Sequence, residues 1–197
     1  MWIGLRGVRK SASLKIGVIH RLTRNDFPEK KSGFDPENEN MAITARCLVL
    51  ACGNTLRSDD GVGPKLAGWA EERFREEPEV RVIARQQFTP ELAEVIAAAD
   101  SVLFVDSSAS PPPGRVRLIP VTSRVESSAA PPSHHLKPSE LLGLTRSLYG
   151  SIKSHAMLLT VGVGSTEVGE TFSAPVEAAL PRARGILEKA VLRFLER

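Results

Sequence analysis

Cysteine is scarce in these 197 residues: there are two. Two thiols cannot make a disulfide framework or a four-thiolate zinc site. Cys47 and Cys52 stand at opposite ends of one expected strand, too far apart to bridge. A reducing compartment, the cytoplasm, is the expectation. Long apolar runs are also missing. No stretch approaches the ~18–20 apolar residues that cross a bilayer, and none near the start has the form of a secretory signal core. Membrane insertion is therefore not expected. The 42 % hydrophobic content is nonetheless ordinary for a folded globular chain, which argues against global disorder.

A strong excess of one charge is lacking too. The chain has 26 basic and 23 acidic residues, a net charge of +3. The whole excess lies in residues 1–40, where Arg6, Arg9, Lys10, Lys15, Arg21, Arg24, Lys30 and Lys31 outnumber Asp26, Glu29, Asp35, Glu37 and Glu39. Residues 41–197 carry as many acids as bases, so electrostatic attraction to nucleic acid is weak there. Residues 23–40 are polar and aperiodic, a composition that cannot offset the entropy of ordering. Residues 1–40 read as an extension outside the working protein. Met41 reads as the physiological start, with one domain over residues 41–197.

That domain alternates strands and helices. Arg46–Ala51 is a short apolar run closed by a Cys52-Gly53-Asn54 turn. Gly61–Phe74 has helical apolar spacing. Val80–Ala84 reads as a strand, and Thr89-Pro90 as the N-cap and first residue of a helix. Ser101–Val105 is a third strand, ended by Asp106. Arg115–Ile119 alternates, Pro138–Leu148 is helical, Met157–Val163 is an apolar strand, and Ala174–Leu195 carries a clean helical stripe. This order predicts an α/β fold. It is a single three-layer α/β/α domain with a twisted, mainly parallel five-stranded sheet and helices on both faces. Arg115–Ile119 is its antiparallel member.

Ligands in such sheets bind beyond the carboxyl ends of the strands. Three polar groups are expected there: Asp59-Asp60, Asp106, and His134-His135. Aspartate is a good helix N-cap, which accounts for one of Asp59 and Asp60 but not both. Asp106 alone reads equally as a turn residue, and the histidines as a solvated loop pair. Two carboxylates at a helix N-terminus repel phosphate and suit a cation. Two carboxylates and an imidazole make a workable site for a divalent transition ion that must also touch a substrate. There is no Gly-x-Ser-x-Gly elbow, and neither cysteine has an evident histidine partner.

With these residues in view, the chain resembles the hydrogenase maturation proteases. These endopeptidases trim the C-terminal tail from the nickel-loaded large subunit of NiFe-hydrogenases. The likeness spans residues 46–195. Leu48–Gly63 looks like the family's strand followed by Gly-x-Gly-Asn-x-Leu-x-x-Asp-(Asp/Glu)-Gly-x-Gly, with Cys52 at a variable place. Val102–Ser110 and Ser133–Leu142 match the second and third motifs in order.

The resemblance implies that Asp60, Asp106 and His134, with His135 as the alternative, bind nickel supplied by the incoming precursor. No organic cofactor is implied. Asp60 and Asp106 are the implied catalytic carboxylates of an aspartic-type protease, Asp59 a further base or a helix cap. The implied partner is the large-subunit precursor, and a monomer is expected. Where the family often has Asp-Gly-Gly-Thr after the second strand, this chain has Gln86-Gln87-Phe88-Thr89. A catalytic role for that acid has no counterpart here. Two other readings compete: a non-catalytic metal-binding accessory module in maturation, and, more distantly, a peptidyl-tRNA-hydrolase-like enzyme.

Overall fold

The computed structural model describes residues 45–110, 112–123, 136–150 and 155–197. Met41, residues 1–40, His134 and His135 lie outside the described residues. Five strands form one sheet in the order β2-β1-β3-β5-β4. β1 (Cys47–Cys52), β2 (Val80–Arg85), β3 (Ser101–Ser108) and β5 (His155–Gly162) run parallel. β4 (Val116–Pro120) pairs antiparallel with β5 at the edge, as its alternation and short Pro-rich approach predict.

Helices cover both faces. α1 (Val62–Arg73) and α4 (Ala174–Leu195) pack on one face, where Leu66, Ala70, Val176 and Leu187 meet Val49, Leu103 and Leu159. α2 (Leu92–Ala97) and α3 (Pro138–Tyr149) cover the other, where Ile96 and Leu141 meet Leu48, Leu50 and Phe104. β1 and β3 are buried on both faces, which is why they read as continuous apolar runs rather than alternating ones. No helix among the described residues is long and apolar enough to cross a membrane.

Two sequence expectations need correction. β3 does not end at Asp106. It continues to Ser108, because β5 extends alongside and pairs Asp106, Ser107 and Ser108 with Thr160, Val161 and Gly162. Backbone pairing, not side-chain hydrophobicity, sets the strand's length. Thr89 is not the cap of α2. Its carbonyl accepts from Leu92 N–H in a preceding turn, and the helix begins after Glu91.

The chain leaves β1 for β2 on one side and reaches β3 on the other. α1 and α2 cross on opposite faces, so the strand order reverses between β1 and β3. A crevice at the carboxyl ends of strands follows from such a reversal.

Candidate functional site

Two glycines shape that crevice. Gly53 has φ +145°, and a Cβ there would stand 2.0 Å from the Asp60 carbonyl oxygen. A Cβ at Gly63 would stand 2.0 Å from the Cys52 carbonyl oxygen. Both positions therefore need glycine. Their effect is to press the start of α1 against the end of β1 and to fold residues 54–61 back over the strand.

A short 3-10 turn, Ser58–Gly61, carries both acids. They have opposite surroundings. Asp59 is fully buried. Its Oδ2 accepts from Gly164 N–H at 2.7 Å, Ser165 N–H at 3.0 Å and Ser173 Oγ at 2.7 Å, and its Oδ1 accepts from Ser173 N–H at 2.6 Å. Burial pushes this carboxyl up, but the hydrogen bonds from Ser173, Ser165 and Gly164 outweigh it and hold it below the usual aspartate range. Asp59 does not cap α1, whose N-cap is Gly61. It fastens to Ser173, the N-cap residue of α4. That geometry is a clamp between two loops, with no face left for a water.

Asp60 points the other way and is half-buried. Its Oδ2 accepts from Asn54 N–H at 2.9 Å and its Oδ1 from Ser107 Oγ at 2.8 Å. Ser107 follows Asp106 on β3, so one hydroxyl joins the turn after β1 to the end of β3. Asp106 is also half-buried, and Cys52 Sγ donates to its Oδ1 at 3.5 Å. Burial pushes the Asp106 carboxyl up to about 6; the Cys52 and Ser107 hydrogen bonds oppose this and the Asp60 charge adds to it. The Cys52 thiol is pushed up to about 12, first by burial and then by the Asp106 charge. It is a protonated hydrogen-bond donor, not a thiolate nucleophile.

The crevice thus gathers Asp60, Asp106, Cys52 and Ser107. Sequence reasoning singled out the two acids and missed the thiol and the hydroxyl. Ser107 stands next to a flagged acid, and alternation along a strand continued to Ser108 would have set it apart. Nothing in sequence pairs Asp59 with Ser173. Among the described residues no group of three histidine, cysteine or acidic side chains is placed to hold a metal ion. Asp60 and Asp106 offer two carboxylates to a cation, and the expected histidine lies outside the described residues. His155, the first residue of β5, sits at the opposite end of the sheet, beside Ser101. Leu136 N–H donates to the Phe88 carbonyl at 3.2 Å. Phe88 follows Gln86, whose carbonyl faces Cys52 Sγ at 3.8 Å.

Comparison with known proteins finds likeness in structure and none in sequence. No protein-family model matches the chain, and no curated protein matches it by sequence. Solved structures do. The hydrogenase maturating endopeptidase HybD from E. coli superposes with a TM-score of 0.60 at 21 % identity, over 75 % of this chain and 93 % of that one. A hydrogenase 2 maturation peptidase from a Thaumarchaeota archaeon gives 0.55 at 25 % identity, over 74 % and 97 %. The NiFe-hydrogenase maturation protease HycI from Thermococcus kodakarensis gives 0.53 at 25 % identity, over 78 % and 94 %. The chain has the fold of the hydrogenase maturation endopeptidases, the family its motifs resemble.

Proposed function

We propose that the protein is an aspartic-type endopeptidase that removes the C-terminal extension of a NiFe-hydrogenase large-subunit precursor. It acts in the cytoplasm as a monomer. The observation that carries this reading is a pair of hydrogen bonds across the strand ends, Ser107 of β3 to Asp60 after β1 and Cys52 of β1 to Asp106 on β3, in a fold shared with archaeal maturation proteases at 25 % identity.

In this reading nickel belongs to the substrate, and Asp60, Asp106 and His134 recognise it, with His135 in that place if the loop register differs by one. Each Asp60 oxygen already accepts one hydrogen bond, and a carboxylate has about four acceptor sites. Capacity for a cation or a water remains. Asp60 and Asp106 are the carboxylates at this edge available to activate a water for peptide hydrolysis. The Cys52 thiol and Ser107 hydroxyl fix the orientation of the two carboxylates.

The test is cleavage of the source organism's nickel-loaded precursor, read by intact mass. Wild type is expected to release the C-terminal segment. Asp60→Asn, Asp106→Asn and His134→Ala are expected to abolish release while keeping a native circular dichroism spectrum. Wild-type rates in all three variants would refute the assignment. Nickel binding by wild type without any cleavage favours the accessory-module reading.

A further inference from the structure

We propose that the cavity beside residues 54–61 is a subsite for an extended peptide segment of the precursor, next to the bond that is cut. The inference rests on the endopeptidase reading above and names where that substrate is held.

The cavity encloses about 480 Å³, within the ~300–1,000 Å³ of small-ligand sites. Its walls come from distant parts of the chain: Thr55 and Ser58 on one side, Glu170 and Phe172 on the other, Pro64 and Lys65 from the first turn of α1. Gly61 also lines it, and it directly follows Asp60. A Cβ at Gly61 would stand 3.1 Å from Thr55 Cα and 3.7 Å from Phe172 Cε1. The missing side chain there opens the space.

The walls are fastened together. Ser58 N–H donates to the Gly169 carbonyl at 2.7 Å, and Gly169 N–H donates to the Leu56 carbonyl at 3.0 Å. Ser58 Oγ donates to the Glu167 carbonyl and Arg57 Nε to the Thr166 carbonyl, both at 3.1 Å. The buried Asp59 carboxylate adds four bonds to the same segment. A pocket held open in this way costs a ligand little ordering.

Its chemistry suits a peptide. The Thr55 hydroxyl can donate to a peptide carbonyl, and Ser58 Oγ, whose proton goes to the Glu167 carbonyl, can still accept from a peptide amide. Pro64 and Phe172 give apolar surface for a side chain. Lys65 and Glu170 supply opposite charges, and neither makes an ion pair among the described residues. One lysine faced by a glutamate is a poor phosphate site, and the charged pair is wrong for a lipid chain. Two other cavities of similar size flank β4 and do not touch the Asp60 turn.

Two measurements test the assignment. The first is steady-state cleavage of the nickel-loaded precursor by wild type, Lys65→Glu, Glu170→Lys and, as control, Lys189→Glu in a cavity beside β4. The expected result is a KM raised about fivefold or more in the first two variants with kcat nearly unchanged, the signature of lost uniform binding, and no change in the control. The second is amide chemical-shift mapping with a synthetic peptide of the precursor's C-terminal segment. Perturbation is expected at Thr55, Ser58, Gly61 and Glu170. An active wild type with unchanged KM in both pocket variants, or shifts confined to residues near β4, would overturn the subsite alone. A wild type that cleaves no precursor overturns the endopeptidase reading and the subsite with it.

Discussion

Asp59 and Asp60 are neighbours of one residue type with divided roles. Asp59 spends its charge on four donors in the protein interior, whereas Asp60 keeps acceptor capacity at the crevice. Asp59→Asn turns an amide N–H₂ toward groups that already donate. A buried hydrogen-bonded charge lost in this way costs roughly 2–4 kcal/mol, which urea unfolding at neutral pH will read as a lower midpoint. The pH dependence has a definite sign. The folded-state value of Asp59 is depressed, so its contribution is present above the ordinary aspartate range and is lost as pH falls through the folded value. The gap between wild type and Asp59→Asn should narrow below about pH 4. Asp106 has the reverse sign. Its value is raised to about 6, so ionising it destabilises the native state as pH rises from the ordinary carboxyl range through 6. Asp106→Asn removes that cost. Its stability relative to wild type should increase between pH 4 and pH 8, and a decrease would place the carboxyl in a more polar setting than the one described.

At the scale of elements, the site depends on how closely α1 follows β1. Gly63→Ala puts a methyl group 2.0 Å from a backbone oxygen of Cys52, a contact no rotamer can relieve. Thermal unfolding should fall by several degrees, the consequence of roughly 1–3 kcal/mol of overpacking. Because Cys52 carries the thiol that holds Asp106, precursor cleavage should fall with it. The element order, the antiparallel β4 and the presence of helices on both faces were legible in sequence, since apolar runs and stripes mark the strands and the buried sides of the helices; which helices share a face was not. Asp60 stood out in sequence because it lies in a glycine-bounded motif after β1, and Asp106 because it follows the apolar run of β3. What escaped has a common cause. The length of β3 past Asp106, the clamp from Asp59 to Ser173 and the Ser107 bridge are all set by pairing between distant segments. The start of α2 escaped for a local reason: the Thr89-Pro90 pair formed a turn before the helix instead of its first residues.

Charge organises the whole molecule in a way the total conceals. The basic excess of residues 1–40 and the neutrality of residues 41–197 separate two kinds of partner. A protein that binds nucleic acid neutralises phosphates with Lys and Arg, and its affinity falls steeply with salt. Residues 41–197 have no net charge to offer. At their crevice they present carboxylates, which repel phosphate and attract cations. Two chains, residues 1–197 and 41–197, should therefore behave differently on a phosphate or sulfate polymer. The full chain should be retained weakly at low salt and released well below 0.2 M, where the Debye length is shorter than about 10 Å. The shorter chain should pass unretained at every salt concentration. Retention of residues 41–197 with a steep salt slope would require a basic surface that the sequence balance does not provide, and would reopen the tRNA-enzyme reading. Equal precursor cleavage by the two chains would further assign the working chemistry to the part that begins at Met41.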